Sequence, residues 1–198
     1  VDERVLIPRR ETEELVAYVL SYYDEMFDGK SVNICDIGTG SGNIIVALKA
    51  EEPSFNAYAS DISEEAISVA KENAKNNDVD VKFLIGNMVD PLKELNIKFD
   101  IVVSNPPYIP SDEFVEDIVK DNEPNIALFG GVDGMFFYEE IFKNIKPLLN
   151  DKAFLAFEHS FSKKQAMIDL ARKYFPNAEI ISIKDMQEKD RFTIVKIN

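Results

Sequence analysis

The sequence predicts an α/β fold in which a mostly parallel sheet carries helices on both faces. Apolar, strand-like runs alternate with stretches of helical periodicity along most of the chain, and this alternation is typical of parallel sheets. A glycine-rich segment follows the first of these strand-like runs. The last two strand-like runs are joined only by a polar loop, which predicts a C-terminal antiparallel pair. Together these features indicate one domain built on a seven-stranded sheet.

The first half of the chain contributes three strands and three helices to this prediction. The apolar face of a first helix is marked by Leu15, Val16, Val19, Leu20 and Tyr23, and Gly29 is a suitable stop. Strands are predicted over 32–37, 56–60 and 81–85. A second helix is predicted over 42–50. Either Asp61 or Ser63 can cap a third helix, whose buried face includes Ala66, Ile67, Ala70 and Ala74.

The second half is predicted to add four strands and two helices around an irregular segment. Strands are expected over 99–104, 153–157, 179–183 and 192–197, with helices marked by Phe137, Ile141 and Ile145 and by Ala166, Met167, Leu170, Ala171 and Tyr174. Residues 109–134 contain several prolines and glycines, with one short helix expected over 113–120. Long irregular segments of this kind often form part of a substrate pocket.

Composition and charge narrow the possible functions. The chain has 36 acidic and 22 basic residues and a net charge of −14, which disfavours direct nucleic-acid binding because phosphate recognition requires basic groups. No apolar run has the length of a membrane helix, and no signal peptide is visible, so a cytoplasmic protein is expected. The single cysteine, Cys35, and the single histidine, His159, argue against a disulfide or a metal site. Both are expected to be structural.

The segment from Asp36 to Gly42 predicts a cofactor loop at the end of the first strand. Its three glycines let the backbone turn sharply and approach a ligand, and their spacing is G-x-G-x-G rather than the dinucleotide pattern. The Asp36 carboxylate would repel a pyrophosphate but could bind an ammonium group. Asp61, at the end of the second strand, can accept both hydroxyls of a ribose. A ligand with an amino-acid end and a nucleoside end describes S-adenosylmethionine.

The third and fourth strands each end in residues that extend this prediction. Asn87 can pair with the edge of an adenine and Met88 can cover its ring. Asn105-Pro106-Pro107-Tyr108 follows the fourth strand, and its two prolines must end that strand. The Asn105 oxygen and the Pro106 carbonyl can accept the two N–H groups of a planar –NH2, and the Tyr108 ring can cover its plane. This corner therefore predicts an amino or amide acceptor.

These segments resemble class I S-adenosylmethionine-dependent methyltransferases that methylate amino groups. The segments 6–13, 123–124, 128–134 and 190–191 resemble more narrowly the HemK/PrmC family. The resemblance implies a Rossmann-like class I methyltransferase fold and methylation of the glutamine amide nitrogen in the GGQ motif of class I peptide release factors. It also implies that residues 1–198 form the catalytic domain, without the N-terminal helical domain that members usually carry. The chain departs from the family at Arg10, at Asn87 and at Ser160 after Glu158-His159.

Several alternatives stay open at the level of sequence. They are a glutamine methyltransferase acting on a ribosomal protein, an enzyme acting on adenine N6 or another exocyclic amine, and a cofactor-binding module without catalysis. The predicted cofactor-binding residues are Asp36, Gly38, Thr39, Gly40, Ser41, Gly42, Asp61, Ile62, Asn87, Met88 and Asn105. The predicted substrate-binding residues are Asn105, Pro106, Pro107 and Tyr108, of which Asn105, Pro106 and Tyr108 are expected to be catalytic. No metal is expected.

Overall fold

The structure is a computed structural model that describes residues 2–109 and 130–198. The described chain forms one sheet of seven strands in the order β3-β2-β1-β4-β5-β7-β6. The strands are β1 Asn33–Ile37, β2 Asn56–Asp61, β3 Val81–Ile85, β4 Phe99–Ser104, β5 Leu149–Glu158, β6 Glu179–Lys184 and β7 Asp190–Ile197. The predicted helix over 113–120 and the segments at 123–124 and 128–129 lie outside the described residues.

The pairing of the strands confirms the predicted mostly parallel sheet with an antiparallel C-terminal pair. Strands β1 to β5 are joined through parallel ladders. β7 runs antiparallel to both β5 and β6. β7 therefore lies inside the sheet, between β5 and the edge strand β6. The predicted strand limits agree closely except at β5, which begins four residues earlier than predicted because Leu149 already pairs with Phe99.

Six α-helices cover this sheet within the described residues. They are α1 Arg10–Phe27, α2 Asn43–Glu51, α3 Glu64–Asn76, α4 Asp90–Lys93, α5 Phe136–Ile145 and α6 Lys164–Tyr174. Ser63, rather than Asp61, caps α3, with its Oγ accepting a hydrogen bond from Ala66 N at 3.1 Å. The short helix α4 was not predicted. It begins at Asp90 with Pro91 in its first turn, and four residues are too few to show helical periodicity.

Two apolar cores lie on opposite faces of the central strands. Residues of α1 and α2 pack on one face against alternate residues of β1 and β4 such as Ile34 and Ile101. Residues of α5 and α6 pack on the other face, where Cys35 and Val102 point. Because side chains alternate along a strand, strands buried on both faces read as the continuous apolar runs seen in the sequence. The prediction that Cys35 is a core residue is confirmed.

The strand order sets the position of the candidate site. The chain moves outward from β1 to β2 and β3, and then returns to the other side of β1 with β4. The carboxyl ends of these parallel strands therefore meet around the point where the order reverses. In open α/β sheets ligands bind outside the carboxyl ends of strands at such a switch point. The glycine loop after β1 and the Asn105 corner after β4 both lie there.

Candidate active site

A cavity of about 440 Å³ opens at the carboxyl ends of the strands. This volume lies within the usual range for small-molecule sites. Its wall includes most of the predicted site residues, namely Gly38, Thr39, Gly40, Ser41, Asp61, Ile62, Asn87, Met88, Asn105, Pro106 and Pro107. Asp36, Gly42 and Tyr108 are not part of the wall. The structure thus brings the glycine loop and the Asn105 corner to one cavity.

The glycine loop is held against the neighbouring strand by its own backbone. The N–H groups of Gly38 and Thr39 both donate to the carbonyl of Ser60, at 2.9 and 3.1 Å. Gly38 and Gly40 have φ values of 72° and 54°, a left-handed conformation that favours glycine. A Cβ atom at either position would meet nothing within 4 Å. These two glycines therefore turn the chain and leave open space beside it.

Gly42 serves packing rather than the cavity. It precedes α2 with a φ of 77°, and a Cβ atom there would lie 3.0 Å from the Cβ of Ala70 on α3. The absence of a side chain thus allows α2 and α3 to approach closely. The predicted cofactor contact at Gly42 stays a prediction, whereas its role in helix packing follows directly from this contact.

Asp36 lies fully buried behind the glycine loop. Its Oδ2 accepts a hydrogen bond from the Thr39 hydroxyl at 2.6 Å, and its Oδ1 has no partner among the described residues. Burial raises the pKa of this carboxyl to about 7, the Thr39 hydroxyl opposes the rise, and the nearby Asp61 carboxylate adds to it. A buried carboxylate with an unpartnered oxygen is costly unless a positive or hydrogen-bonding group reaches it.

Asp61 holds the cavity end of β2 in place. Its Oδ2 accepts a hydrogen bond from Gly40 N at 2.8 Å and its Oδ1 accepts one from Ser63 N at 2.9 Å. These bonds fix the carboxylate at the cavity wall. Each carboxylate oxygen can accept more than one hydrogen bond. Asp61 can therefore still accept hydroxyl groups from a ligand.

The turn after β3 brings Asn87 and Met88 to the opposite wall. The Ser60 hydroxyl donates to the Met88 carbonyl at 2.9 Å, which ties this turn to β2. Met88 has a φ of 45°, an uncommon conformation for a residue with a side chain. Such strain is often found at functional sites. The tie and the turn together place an amide and a thioether side chain on the cavity.

The Asn105 corner presents three of its four predicted residues to the cavity. Asn105, Pro106 and Pro107 line the wall, whereas Tyr108 packs against the core on the α5 and α6 face. Burial, with the nearby Glu158 carboxylate, raises the pKa of Tyr108 to about 12, so its hydroxyl stays protonated. The idea that the Tyr108 ring covers an acceptor amide stays a prediction. Gly130 packs beside this corner, since a Cβ atom there would clash with the Pro107 carbonyl.

Behind Asn105 lies a buried polar cluster of Thr12, Glu158 and Asn105. The Asn105 Nδ2 group donates to Thr12 Oγ1 at 3.3 Å, and the Thr12 hydroxyl donates to Glu158 Oε2 at 2.8 Å. Burial raises the pKa of Glu158 to about 7, against the opposing effects of Thr12, Arg191 and Asn105. Tyr138 supports the cluster from α5 by donating its hydroxyl to the Glu158 carbonyl at 2.8 Å.

His159 is a structural residue, as the sequence predicts. Its Nε2 pairs with Thr193 Oγ1 and its Nδ1 with the Ser160 carbonyl, both at 2.9 Å. Burial lowers the pKa of the imidazole. Both ring nitrogens are thus engaged within the fold, and His159 is not part of the cavity wall. It links the end of β5 to β7.

The sequence reasoning missed the contribution of the segment before α1. The additional wall residues include Glu3, Arg4, Val5, Leu6, Pro8 and Arg9 from this segment, together with Thr12, Phe137 and Ile141. Val5 anchors the segment because it is buried in a small cluster with Ala66 and Val69 of α3. One signal was available for Thr12. It occupies a position on the apolar face of α1, one turn before Leu15, where a polar residue needs a partner.

The residues on this wall fit S-adenosylmethionine. The Asp61 carboxylate on the wall, with the unpartnered Oδ1 atom of Asp36 buried behind the glycine loop, suits an ammonium or sulfonium group and not a pyrophosphate. The open space at Gly38 and Gly40 lets a ligand approach the backbone. Asn87 and Met88 offer an amide and an apolar surface farther along the wall. This set of groups matches an amino acid joined to a nucleoside.

Comparison with known proteins places the fold in a class. The methyltransferase small domain family matches residues 19–123. A ribosomal protein L11 methylase from Lactobacillus delbrueckii subsp. bulgaricus superposes with a TM-score of 0.64 at 18% identity, covering 96% of this chain and 79% of the other. The plantazolicin methyltransferase BpumL, solved in complex with a triazolic desmethylPZN analogue and SAH, gives 0.64 at 13% identity, covering 96% and 86%. The fold is that of the class I methyltransferases.

Curated relatives define the family within this class. The release factor glutamine methyltransferase of Bacillus anthracis is 40% identical over 199 residues, which cover all of this chain and 70% of the relative. The protein of the same name from Bacillus subtilis is 43% identical over 195 residues, covering 96% and 67%. The chain belongs to the release factor glutamine methyltransferase family, as its resemblance to HemK/PrmC predicts.

Proposed function

We propose that this protein transfers a methyl group from S-adenosylmethionine to the side-chain amide nitrogen of the glutamine in the GGQ motif of class I peptide release factors. The observation that carries the proposal is the shared cavity, because the glycine loop, Asp61 and the Asn105 corner all line it. A methyl donor and a planar amide can thus meet in one space. The names of the relatives support the identity of the acceptor.

The cofactor end of the cavity supplies binding and orientation. When bound, S-adenosylmethionine supplies a sulfonium methyl group that the amide nitrogen attacks, while the electron pair of the broken C–S bond stays on sulfur. Asp61 accepts the ribose hydroxyls, and Asp36 and the glycine loop hold the amino-acid end. Asn87 and Met88 bind the adenine. Each role uses a group that the structure already orients through hydrogen bonds or backbone turns.

The acceptor end must activate a poor nucleophile. The amide nitrogen of glutamine has a lone pair that is delocalised into its carbonyl group. The Asn105 Oδ1 atom and the Pro106 carbonyl each accept one N–H of this amide and hold its nitrogen toward the methyl group. They also stabilise the positive charge that develops on nitrogen during transfer. The proton leaves to water after the N–C bond has formed, so no strong base is needed.

The substrate class follows from charge and family. With a net charge of −14, the protein lacks the excess of basic residues that contact with nucleic-acid phosphates requires. No helix within the described residues is long and apolar enough to cross a membrane. A release factor is therefore the proposed partner, ahead of a ribosomal protein or DNA.

Incubation with S-adenosylmethionine labelled on its methyl group tests the proposal. Three acceptors are offered separately, namely a class I release factor, a ribosomal protein and duplex DNA. We expect label on the release factor alone, and mass spectrometry should place one added methyl group on the glutamine of GGQ. A release factor with that glutamine replaced by alanine is the control and should stay unlabelled. Label on DNA, or equal label on the alanine variant, would contradict the proposal.

A further inference from the structure

The buried cluster behind the Asn105 corner joins three distant parts of the chain. Thr12 belongs to the first turn of α1, Asn105 follows β4, and Glu158 ends β5. Thr12 and Glu158 are 3% and 1% exposed, and neither belongs to the predicted cofactor or substrate contacts. Thr12 and Asn105 both line the cavity, and Asn105 is the member of the cluster that is proposed to hold the acceptor.

The hydrogen bonds in this cluster have a defined direction. Where Glu158 is ionised, its carboxylate only accepts hydrogen bonds, so the Thr12 hydroxyl then donates its one proton to Glu158. The Thr12 oxygen can then only accept from Asn105. Asn105 must therefore present its NH2 group, and not its carbonyl oxygen, to Thr12. The Thr12 Oγ1–Glu158 Oε2 distance is 2.8 Å and the Asn105 Nδ2–Thr12 Oγ1 distance is 3.3 Å.

We propose that Glu158 and Thr12 are positioning residues that hold the Asn105 side chain with Nδ2 directed into the fold and Oδ1 directed to the acceptor amide. This inference rests on the proposed methyl transfer at Asn105. An asparagine side chain can rotate by half a turn and exchange its oxygen and nitrogen at little steric cost. With Nδ2 toward the cavity, Asn105 would place its own N–H group against an N–H group of the acceptor amide, and the two donors could not form a hydrogen bond. The direction set by Glu158 removes this unproductive orientation.

The cost of burying Glu158 favours this role over a purely structural one. A buried carboxyl group is expensive to desolvate, and an apolar pair of similar size often stabilises a fold as well or better. Burial raises the pKa of Glu158 to about 7, which reflects that cost. Linking α1 to β5 would not require a carboxylate. Setting the direction of a hydrogen-bond chain does require a group that only accepts.

The surroundings of Glu158 determine when it is ionised. Arg191 on β7 favours the charged form, as do the Thr12 hydroxyl and the Asn105 amide. Glu11 on α1 opposes it. The Tyr138 hydroxyl lies nearby on α5 and donates to the Glu158 backbone carbonyl rather than to its carboxylate. Tyr108, after β4, is close enough for its own pKa to be raised by Glu158.

The test compares Thr12→Val, which keeps the shape but removes the hydroxyl, with Thr12→Ser, which restores it. Thr193→Val is the matched control, because Thr193 is also fully buried and its hydroxyl pairs with His159. Single-turnover methylation of the release factor is measured at saturating cofactor, with the cofactor Kd and the melting temperature. We expect Thr12→Val to lower the rate roughly tenfold to a hundredfold, as for a misplaced catalytic group, with an unchanged Kd. Thr12→Ser should recover most of the rate.

A second measurement needs no active enzyme, and its one variant, Asn105→Ala, serves only to assign a signal. The side-chain ¹⁵N–¹H signal of Asn105 is assigned by its absence from the spectrum of Asn105→Ala. In the unmodified protein its NH2 protons should exchange slowly with water, because Nδ2 faces Thr12. Rapid exchange would show that Nδ2 faces the cavity and would overturn the inference. So would a loss of rate in Thr12→Val no larger than in Thr193→Val.

These readouts separate the inference from the proposed function. If the unmodified protein leaves the release factor unlabelled, the proposed function fails, while slow exchange at Asn105 still supports the orientation. If the protein methylates the release factor but Asn105 exchanges rapidly, the orientation fails and the function stands.

Discussion

Two buried acids, Asp36 at the end of β1 and Glu158 at the end of β5, resemble each other in chemistry and differ in their hydrogen-bond partners. Burial raises the pKa of each to about 7, and each accepts a hydrogen bond from a threonine hydroxyl. Asp36 is paired with Thr39, three residues away, and keeps one unpartnered oxygen. Glu158 is paired with Thr12, 146 residues away, and is also contacted by the Asn105 amide.

We expect this difference to separate the tasks of the two acids. An acid with an unpartnered oxygen is ready to receive a positive group from outside, which suits the cofactor end of the cavity. An acid surrounded by partners can instead set the direction of the hydrogen bonds that those partners make, which suits the acceptor end of the cavity. We therefore expect changes around Asp36 to alter cofactor binding and changes around Glu158 to alter the rate of transfer.

The largest effect is expected from Asn105→Ala. Loss of the carbonyl oxygen that accepts the amide N–H should lower kcat by about 10²- to 10³-fold, the usual cost of removing one preorganised hydrogen bond to a reacting group. The cofactor Kd, measured by calorimetry, should stay within about twofold of the value for the unmodified protein, because the lost hydrogen bond acts on the acceptor amide and lowers kcat alone. A Kd that rises as steeply as kcat falls would show that the two ends of the cavity are not separable.

Asp36→Asn should stabilise the protein at high pH. The free carboxyl ionises near 3.8, whereas in the fold its pKa is about 7. Between these values the folded state keeps a proton that the unfolded state has lost, so stability falls as the pH rises, and the full penalty remains above pH 7. The variant has no carboxyl to ionise at this position and escapes the penalty. Its advantage in unfolding free energy over the unmodified protein should therefore be on the order of 2–4 kcal/mol larger at pH 8 than at pH 4. Urea denaturation at both pH values measures the gain.

Asp185→Asn is the matched control, with the opposite sign. Although burial would raise the pKa of Asp185, hydrogen bonds from the Lys189 backbone, the Arg191 guanidinium and the Gln187 backbone lower it. Its ionised form therefore stabilises the fold at neutral pH, and this stabilisation is lost as the pH falls through its folded pKa. Asp185→Asn should be less stable than the unmodified protein at pH 8. Equal pH responses of the two variants would contradict the assignment of Asp36.

Asp61→Ala is expected to weaken cofactor binding by about tenfold to a hundredfold, equivalent to the roughly 1.5–3 kcal/mol of a hydrogen bond to a charged group. The carboxylate is lost both as an acceptor for ribose hydroxyls and as the partner of Gly40 N. Calorimetric titration with S-adenosylmethionine gives the Kd directly. Ser63→Ala controls for the loss of structure at this turn, because it removes the cap of α3 without touching the carboxylate. An unchanged Kd in Asp61→Ala would rule out the ribose contact.

The smallest effect is expected from Thr39→Val, which mirrors Thr12→Val at the other acid. Without its hydroxyl donor, Asp36 is harder to ionise and attracts the ammonium group of the cofactor less strongly. We expect a Kd about fivefold higher, equal to one ordinary hydrogen bond of about 1 kcal/mol, and little change in kcat at saturating cofactor. If Thr39→Val slowed transfer while Thr12→Val weakened binding, the assignment of tasks to the two acids would be reversed.

The sequence predicts the parts of this site whose signals are local. All seven strands were predicted, and the central ones, which are buried on both faces, produce continuous apolar runs. Asp36 lies near the end of the first predicted strand, and the glycine loop, Asp61 and the Asn105 corner each follow directly on a predicted strand, so the topology alone brings them to one edge. The convergence of the glycine loop, Asp61 and the Asn105 corner on the cavity wall needed no knowledge of side-chain contacts.

The unpredicted parts depend on contacts between distant segments. The role of Glu158 depends on Thr12, which reaches it only after α1 packs across the sheet. Val5 lines the cavity because it is buried against α3, and no periodicity marks such a short extended segment. Gly42 reads as a ligand-binding glycine in the sequence, and only the 3.0 Å approach to Ala70 reveals its packing role.

The position of β7 within the sheet has a consequence for how the chain folds during synthesis. β6 leaves the ribosome before β7, yet among the described strands it pairs with β7 alone. Until β7 emerges, β6 has no strand to pair with and the edge of β5 is uncovered. Because a domain generally folds as a unit, the sheet is complete only once β7 has been synthesised. A nascent chain stalled before residues 190–197 would therefore leave the edge of β5 exposed, and an exposed strand edge invites pairing with another chain.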